Sequence, residues 1–150
     1  MSLTLTSSAF NAGTAIPARY TCDDADVTPP LTIAGVPPGA KSLALIMDDP
    51  DAPAGTWDHW LLYNLPPDTA GLAEDLRALP QGARLGKNSW GRTAWGGPCP
   101  PRGSHRYFFR LYALDQNLSL PEGATKRQIL AAIDGHVLAQ AELMGTYTRR

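Results

Sequence analysis

The sequence predicts a mainly β, turn-rich fold closed by one amphipathic helix, and three observations predict it. Fourteen Gly and fourteen Pro in 150 residues exceed average usage, and they fall between apolar runs without any repeat. Three of those runs, residues 42–47, 59–65 and 105–114, are bounded by turn residues and read as buried strands. Helical spacing with a capping signal occurs in one place, from Thr125 onward.

A chain of this length, with 43% hydrophobic residues, is expected to form one domain over residues 1–150 with a core that needs no metal or disulfide staple. In order, residues 3–6 alternate as a strand and lead to a turn around Asn11-Ala12-Gly13. Residues 14–21 read as an edge strand, because Pro17 cannot donate to a ladder. A polar loop from Cys22 to Asp26 precedes the short strand Leu31-Thr32-Ile33 and the turn Val36-Pro37-Pro38-Gly39.

The run 42–47 has no alternation, as expected of a strand covered on both faces, and ends in the acidic turn Asp48-Asp49-Pro50-Asp51-Ala52-Pro53. The next strand opens on His59 and closes at Pro66-Pro67. Residues 68–97 are Gly-rich and irregular, with Trp90 and Trp95 among small residues; a loop this long in a compact domain is more often functional than idle. Period-2 counting on the third strand puts His105, Tyr107, Phe109, Leu111 and Ala113 on one face. Finally, Thr125 and Gln128 match a capping box, and Ile129, Ile133, Val137 and Ala141 recur every fourth residue, so one helix is expected to reach a stop at Gly145.

The net charge of −1 gives no footprint for nucleic acid or a membrane surface. Acids dominate residues 22–59 and bases dominate 76–114, which reads either as complementary surfaces that meet in the fold or as positive potential at an anion-binding mouth. The N-terminus shows no signal-peptide pattern and no run is long enough to span a membrane, so a soluble cytoplasmic protein is expected. Cys22 and Cys99 have no metal-ligand spacing; in a reducing compartment separate thiols are the expected state, and pairing, which would close a long loop worth about 4 kcal/mol in the chain-entropy model, stays open.

Two stiff, Pro-punctuated turns each deliver a histidine to the start of an apolar strand, which points to a preformed pocket between them. Ser104 and His105 are adjacent on a strand and face opposite ways, so a Ser-His-Asp triad is not expected. The acidic turn fails the calcium-loop pattern and reads as Asp side chains capping backbone donors. What remains is an oxyanion pocket: imidazole donors from His59 and His105, the Tyr107 hydroxyl, backbone N–H groups around Cys99, and Asp49 orienting a histidine tautomer or accepting a proton from a monoprotonated phosphate. No metal, cofactor or catalytic residue is expected.

Asp49-Pro50-Asp51-Ala52-Pro53 with Asp58-His59-Trp60, and the segment from Gly97 to Tyr107, resemble the two signature segments of the phosphatidylethanolamine-binding protein family, in its bacterial and archaeal Raf kinase inhibitor-like (YbhB/YbcL) branch. The resemblance runs nearly end to end. It implies an antiparallel β-sandwich with a Greek-key element and a few short helices, and a small anion pocket lined by Asp49, His59, His105 and Tyr107 with Pro100 and Pro101 as a wall. Cys99 falls where eukaryotic members carry a Gly whose backbone meets the ligand. The expected function is non-catalytic binding of a small phosphorylated or other anionic ligand, with a kinase or protease as a protein partner; a homodimer stays open. The alternative is a small-phosphoester hydrolase using Asp49 and His59 as acid and base.

Overall fold

The structure, a computed structural model, describes residues 2–149. Strands β1 (Thr4–Thr6), β2 (Leu31–Ala34), β3 (Ser42–Asp49), β4 (Trp57–Leu65), β5 (Gly71–Leu72), β6 (Arg84–Leu85) and β7 (Ser104–Leu114) precede helix α1 (Lys126–Ile133), and β8 (Val137–Thr148) follows it. They form two sheets of antiparallel neighbours, one in the order β1-β2-β5 and the other β6-β4-β3-β7-β8. The expected β-sandwich is therefore present.

β3 is central and buried along its whole length, which explains its unbroken apolar sequence. Its Leu43, Leu45 and Met47 face the core between the sheets, against Leu5, Leu31 and Ile33. Its Ala44 and Ile46 face the other way, against Leu61, Tyr63 and the α1 residues Ile129 and Ile133. β7 returns after a long excursion to pair with β3 on the side away from β4. The predicted inward face of β7, from His105 to Ala113, is buried at every position.

Three expectations are corrected. The terminal helix is only eight residues long: the capping box of Thr125 and Gln128 is formed as expected, but the chain leaves helical geometry at Asp134 and turns at Gly135, where φ is +81°. Residues 137–148 are the strand β8, paired along β7. Gly145 is no helix stop; it lies in β8, where a Cβ would come within 2.6 Å of Ile16 and 2.8 Å of Phe10.

The expected edge strand at 14–21 shrinks to one parallel bridge, Ala15 to Thr146, flanked by Ile16 N–H donating to the Thr146 carbonyl at 2.7 Å. Pro17 ends the ladder and the chain coils into a 3-10 turn, Ala18–Tyr20. Cys22 and Cys99 are not separate thiols: they form a disulfide across 77 residues, with Cα atoms 5.4 Å apart. Within the irregular stretch 68–97, β5 and β6 each add two residues to a sheet edge.

Candidate functional site

Three strand ends and two loops build the site. At the end of β3, alternation sends Asp48 towards α1 and Asp49 towards the space between the sheets. In β4 a bulge does the corresponding work. Met47 pairs with Trp60 and Asp48 with Asp58, so His59 is an extra residue with no cross-strand partner. Strict alternation would place His59 with Leu61, on the α1 side; the bulge turns it towards Tyr107, with ring centroids 5.3 Å apart.

Each turn carboxylate holds a specific group. Asp49 Oδ1 accepts from the Asp51 backbone N–H at 2.8 Å, the capping role predicted for this turn. Asp49 Oδ2 accepts from His105 Nδ1 at 2.7 Å, and both side chains are buried. Asp51 accepts from the Arg106 backbone N–H and from its guanidinium at both oxygens, all at 2.9 Å, which fastens the acidic turn to the start of β7. Those guanidinium bonds hold the Asp51 carboxyl down at about 2. With the Arg110–Asp48 pair, this shows acids of the first half meeting bases of the second.

His59 Nδ1 donates to the Gly96 carbonyl at 2.6 Å. Burial lowers the pKa of this imidazole, outweighing the Gly96 carbonyl and the Asp49, Asp48 and Asp58 carboxylates that favour its charged form. Tyr107 is fully buried, and its hydroxyl has no partner within the protein. Burial, followed by the Asp49 charge, raises its pKa, so the phenol keeps its proton.

These groups converge on one cavity of about 500 Å³, lined by all seven residues expected from the sequence: Asp49, His59, Cys99, Pro100, Pro101, His105 and Tyr107. Ten further residues line it that were not expected as site residues, among them Cys22, Asp26, Trp57, Trp90, Arg92 and Gly96. The Trp57 indole Nε1 is buried without a partner, like the Tyr107 hydroxyl. Trp90 packs edge-on against both Trp57 and His59, and the Arg92 guanidinium lies 5.9 Å from the Trp90 ring centroid. Asp26 stands at positive φ, +56°, and its Oδ1 accepts from the Gly97 N–H at 3.0 Å and the Trp95 indole at 3.1 Å. The signal available for this loop was its density of Trp and Gly; nothing local marked Asp26.

On the reverse side of the same strand ends, Lys126 Nζ sits 2.8 Å from Asp58 and 3.3 Å from Asp48. Burial alone would lower its pKa, but the two carboxylates outweigh it and raise it. None of the described helices is long and apolar enough to cross a membrane.

Comparison with known proteins agrees with this architecture. The family model described as phosphatidylethanolamine-binding protein matches residues 6–148. A UPF0098 protein of Methanothermobacter thermautotrophicus is 53% identical over 150 residues, covering 98% of this chain and 99% of its own length. The crystal structure of a phosphatidylethanolamine-binding protein homologue from Chlamydia trachomatis superposes with a TM-score of 0.94 at 47% identity, covering 99% of each chain. E. coli YbcL, described as a member of the mammalian family, gives 0.92 at 29% identity over the full length of both chains. The chain belongs to the phosphatidylethanolamine-binding protein family, in its bacterial and archaeal branch.

Proposed function

We propose that the protein is a non-catalytic binding module whose cavity takes a small oxyanion, a phosphate ester above all, and that the loaded or empty state is read by a protein partner such as a kinase or protease. The observation that carries this is the Tyr107 hydroxyl, a protonated donor buried without a protein partner in the wall of a cavity that also holds two oriented imidazoles. A buried donor left unpaired costs about 1–3 kcal/mol, which a ligand oxygen would recover. Trp57 Nε1 offers a second such donor.

Tyr107→Phe tests this directly. Because the hydroxyl bonds to nothing in the protein, the variant should keep or gain stability in urea denaturation while phosphate binding in calorimetry weakens about tenfold, the worth of roughly one hydrogen bond to a charged group. His105→Ala should weaken binding as well. Unchanged phosphate affinity in both variants would sink the proposal.

The hydrolase alternative assigns Asp49 and His59 as acid and base. Against it, both Asp49 oxygens already accept bonds from the protein. Sustained turnover of a phosphoester panel, abolished by His59→Ala, would establish it instead. The cytoplasmic placement expected from the sequence loses one support, since the Cys22–Cys99 bond suits a compartment or organism in which disulfides persist.

A further inference from the structure

We propose that the Cys22–Cys99 bond is a thiol–disulfide exchange site: a small dithiol reductant breaks it in the folded protein and frees the wall segment 99–103, loosening the cavity. The exchange site stands on the geometry of the two loops. That the freed wall serves a ligand rests on the oxyanion reading above.

Access comes first. Both cysteines line the cavity and both are half-buried, whereas the side chains between the sheets, Leu43, Leu45, Met47 and Phe109 among them, are sealed from solvent. A disulfide in such a core meets a reductant only when the protein unfolds. One in a cavity wall meets it in the native state, and access is among the factors that set the rate of exchange.

What the bond holds decides what its opening does. Ahead of Cys99 the backbone is fastened by hydrogen bonds: Gly97 N–H donates to Asp26 Oδ1 at 3.0 Å, and the Pro98 carbonyl accepts from Cys22 N–H at 3.1 Å. Beyond the segment, Ser104 and His105 are paired with β8, and Arg106 is clamped by Asp51. Between these anchors Pro100, Pro101, Arg102 and Gly103 make no hydrogen bond among the described residues. The loop at 22–26 keeps holds of its own, since Asp23 accepts from the Tyr147 hydroxyl at 2.5 Å and Asp26 from the Trp95 indole at 3.1 Å. Opening the disulfide therefore releases the Cys99 side. Pro100 and Pro101 fix φ, so this stretch moves as a stiff piece, with Gly103 at φ +72° as the pivot before β7.

The step balances without any group from the cavity. A thiolate of the reductant attacks one sulfur and expels the other as a thiolate. The second thiol of the same molecule then displaces the protein sulfur and closes its own disulfide. Two electrons and two protons pass to the protein, which is left with two thiols.

The test uses the native chain without denaturant, with and without dithiothreitol. Alkylation followed by intact mass should show two modified cysteines in reductant and none without it. Trypsin should cut after Arg102 at least about tenfold faster in the reduced protein, with the rest of the chain still resistant. Cys22→Ser/Cys99→Ser should be cut at the same place without reductant; reduction of the wild type decides the matter if that variant fails to fold. Inorganic phosphate, measured by calorimetry, should bind about tenfold more weakly once the wall is free, the worth of roughly one hydrogen bond to a charged group. Thiols that appear only in urea, no faster cut after Arg102, or equal phosphate affinity in the two states would overturn the inference and leave the oxyanion reading standing. So would cuts scattered through the reduced chain, which would make the bond a staple of the whole fold. Absence of phosphate binding in both states would remove the oxyanion reading alone, because mass and cleavage need no ligand.

Discussion

Asp48 and Asp58 stand directly opposite each other on β3 and β4, two carboxylates facing one another across a ladder, with the Lys126 ammonium between them. Like charges in that position destabilise a sheet. Their pairing follows from the bulge that lifts His59 out of register, so the arrangement that turns the imidazole towards the cavity brings the two acids together behind it. α1 supplies the compensating cation from the first residue of the helix. Lys126→Ala should therefore destabilise the fold by about 1–3 kcal/mol, the cost of leaving a buried acceptor without its partner. Urea denaturation measures it, and Lys126→Arg should restore most of the loss. An alanine variant as stable as wild type would show that Arg110, which also pairs with Asp48, suffices alone.

The Asp51–Arg106 clamp should show in acid. The folded-state carboxyl sits at about 2, below its ordinary value of 3.8, so the native state favours the deprotonated form. The clamp's contribution is then complete above about pH 4 and is lost as the pH falls towards 2. Both side chains are partly exposed, so solvent screens the pair and keeps its contribution small. Comparing wild type with Asp51→Ala by denaturation at pH 6 and pH 2.5 should give a difference at the higher pH that shrinks at the lower. A constant difference would mean that packing of the turn, and not charge, accounts for the effect.

The disulfide ties the loop after the 3-10 turn to the segment carrying Pro100 and Pro101, both in the cavity wall. Closing a loop of 77 residues stabilises by about 4 kcal/mol in the chain-entropy model. A Cys22→Ser/Cys99→Ser double variant should lose up to that amount, and the native protein should show no reactive thiol under denaturing, non-reducing alkylation. Two alkylated cysteines in that assay would contradict the bond.

How far the sequence could be read depended on the range of the interaction. β3, β4 and β7 were legible because burial on both faces writes itself as local apolar runs. The two histidines were legible because each follows a Pro-stiffened turn at a strand start. β8 was misread for an arithmetical reason: Ile129, Ile133, Val137 and Ala141 are spaced by four, and four is also an even number. The same spacing that stacks residues on a helix face keeps them on one face of a strand, and Ala139, Ala141 and Leu143 do pack into the core from β8. The Cys22–Cys99 bond and the Asp26 anchor on Gly97 join loops some 70 residues apart, and no local pattern records such contacts. The bulge at His59 is likewise a property of the pairing between two strands.

That bulge carries His59 into a buried position, where its titration bears on stability. Burial lowers its folded-state pKa below the ordinary 6.5, so the unfolded chain binds this proton more readily than the folded one. By linkage, protonation favours unfolding: stability contributed by the neutral ring is complete above about pH 6.5 and declines as the pH falls below it. Most carboxylates titrate lower, which leaves pH 5–6.5 as a window for histidines. His59→Asn keeps a side-chain N–H for the Gly96 carbonyl but cannot titrate, so it should lose less stability than wild type between pH 7.5 and 5.5. Nitrogen-15 spectra at pH 7 should independently show His59 as the neutral tautomer protonated on Nδ1. Equal pH slopes for the two proteins, or a ring protonated on Nε2 alone, would mean that the Gly96 carbonyl does not set the face this imidazole shows to the cavity.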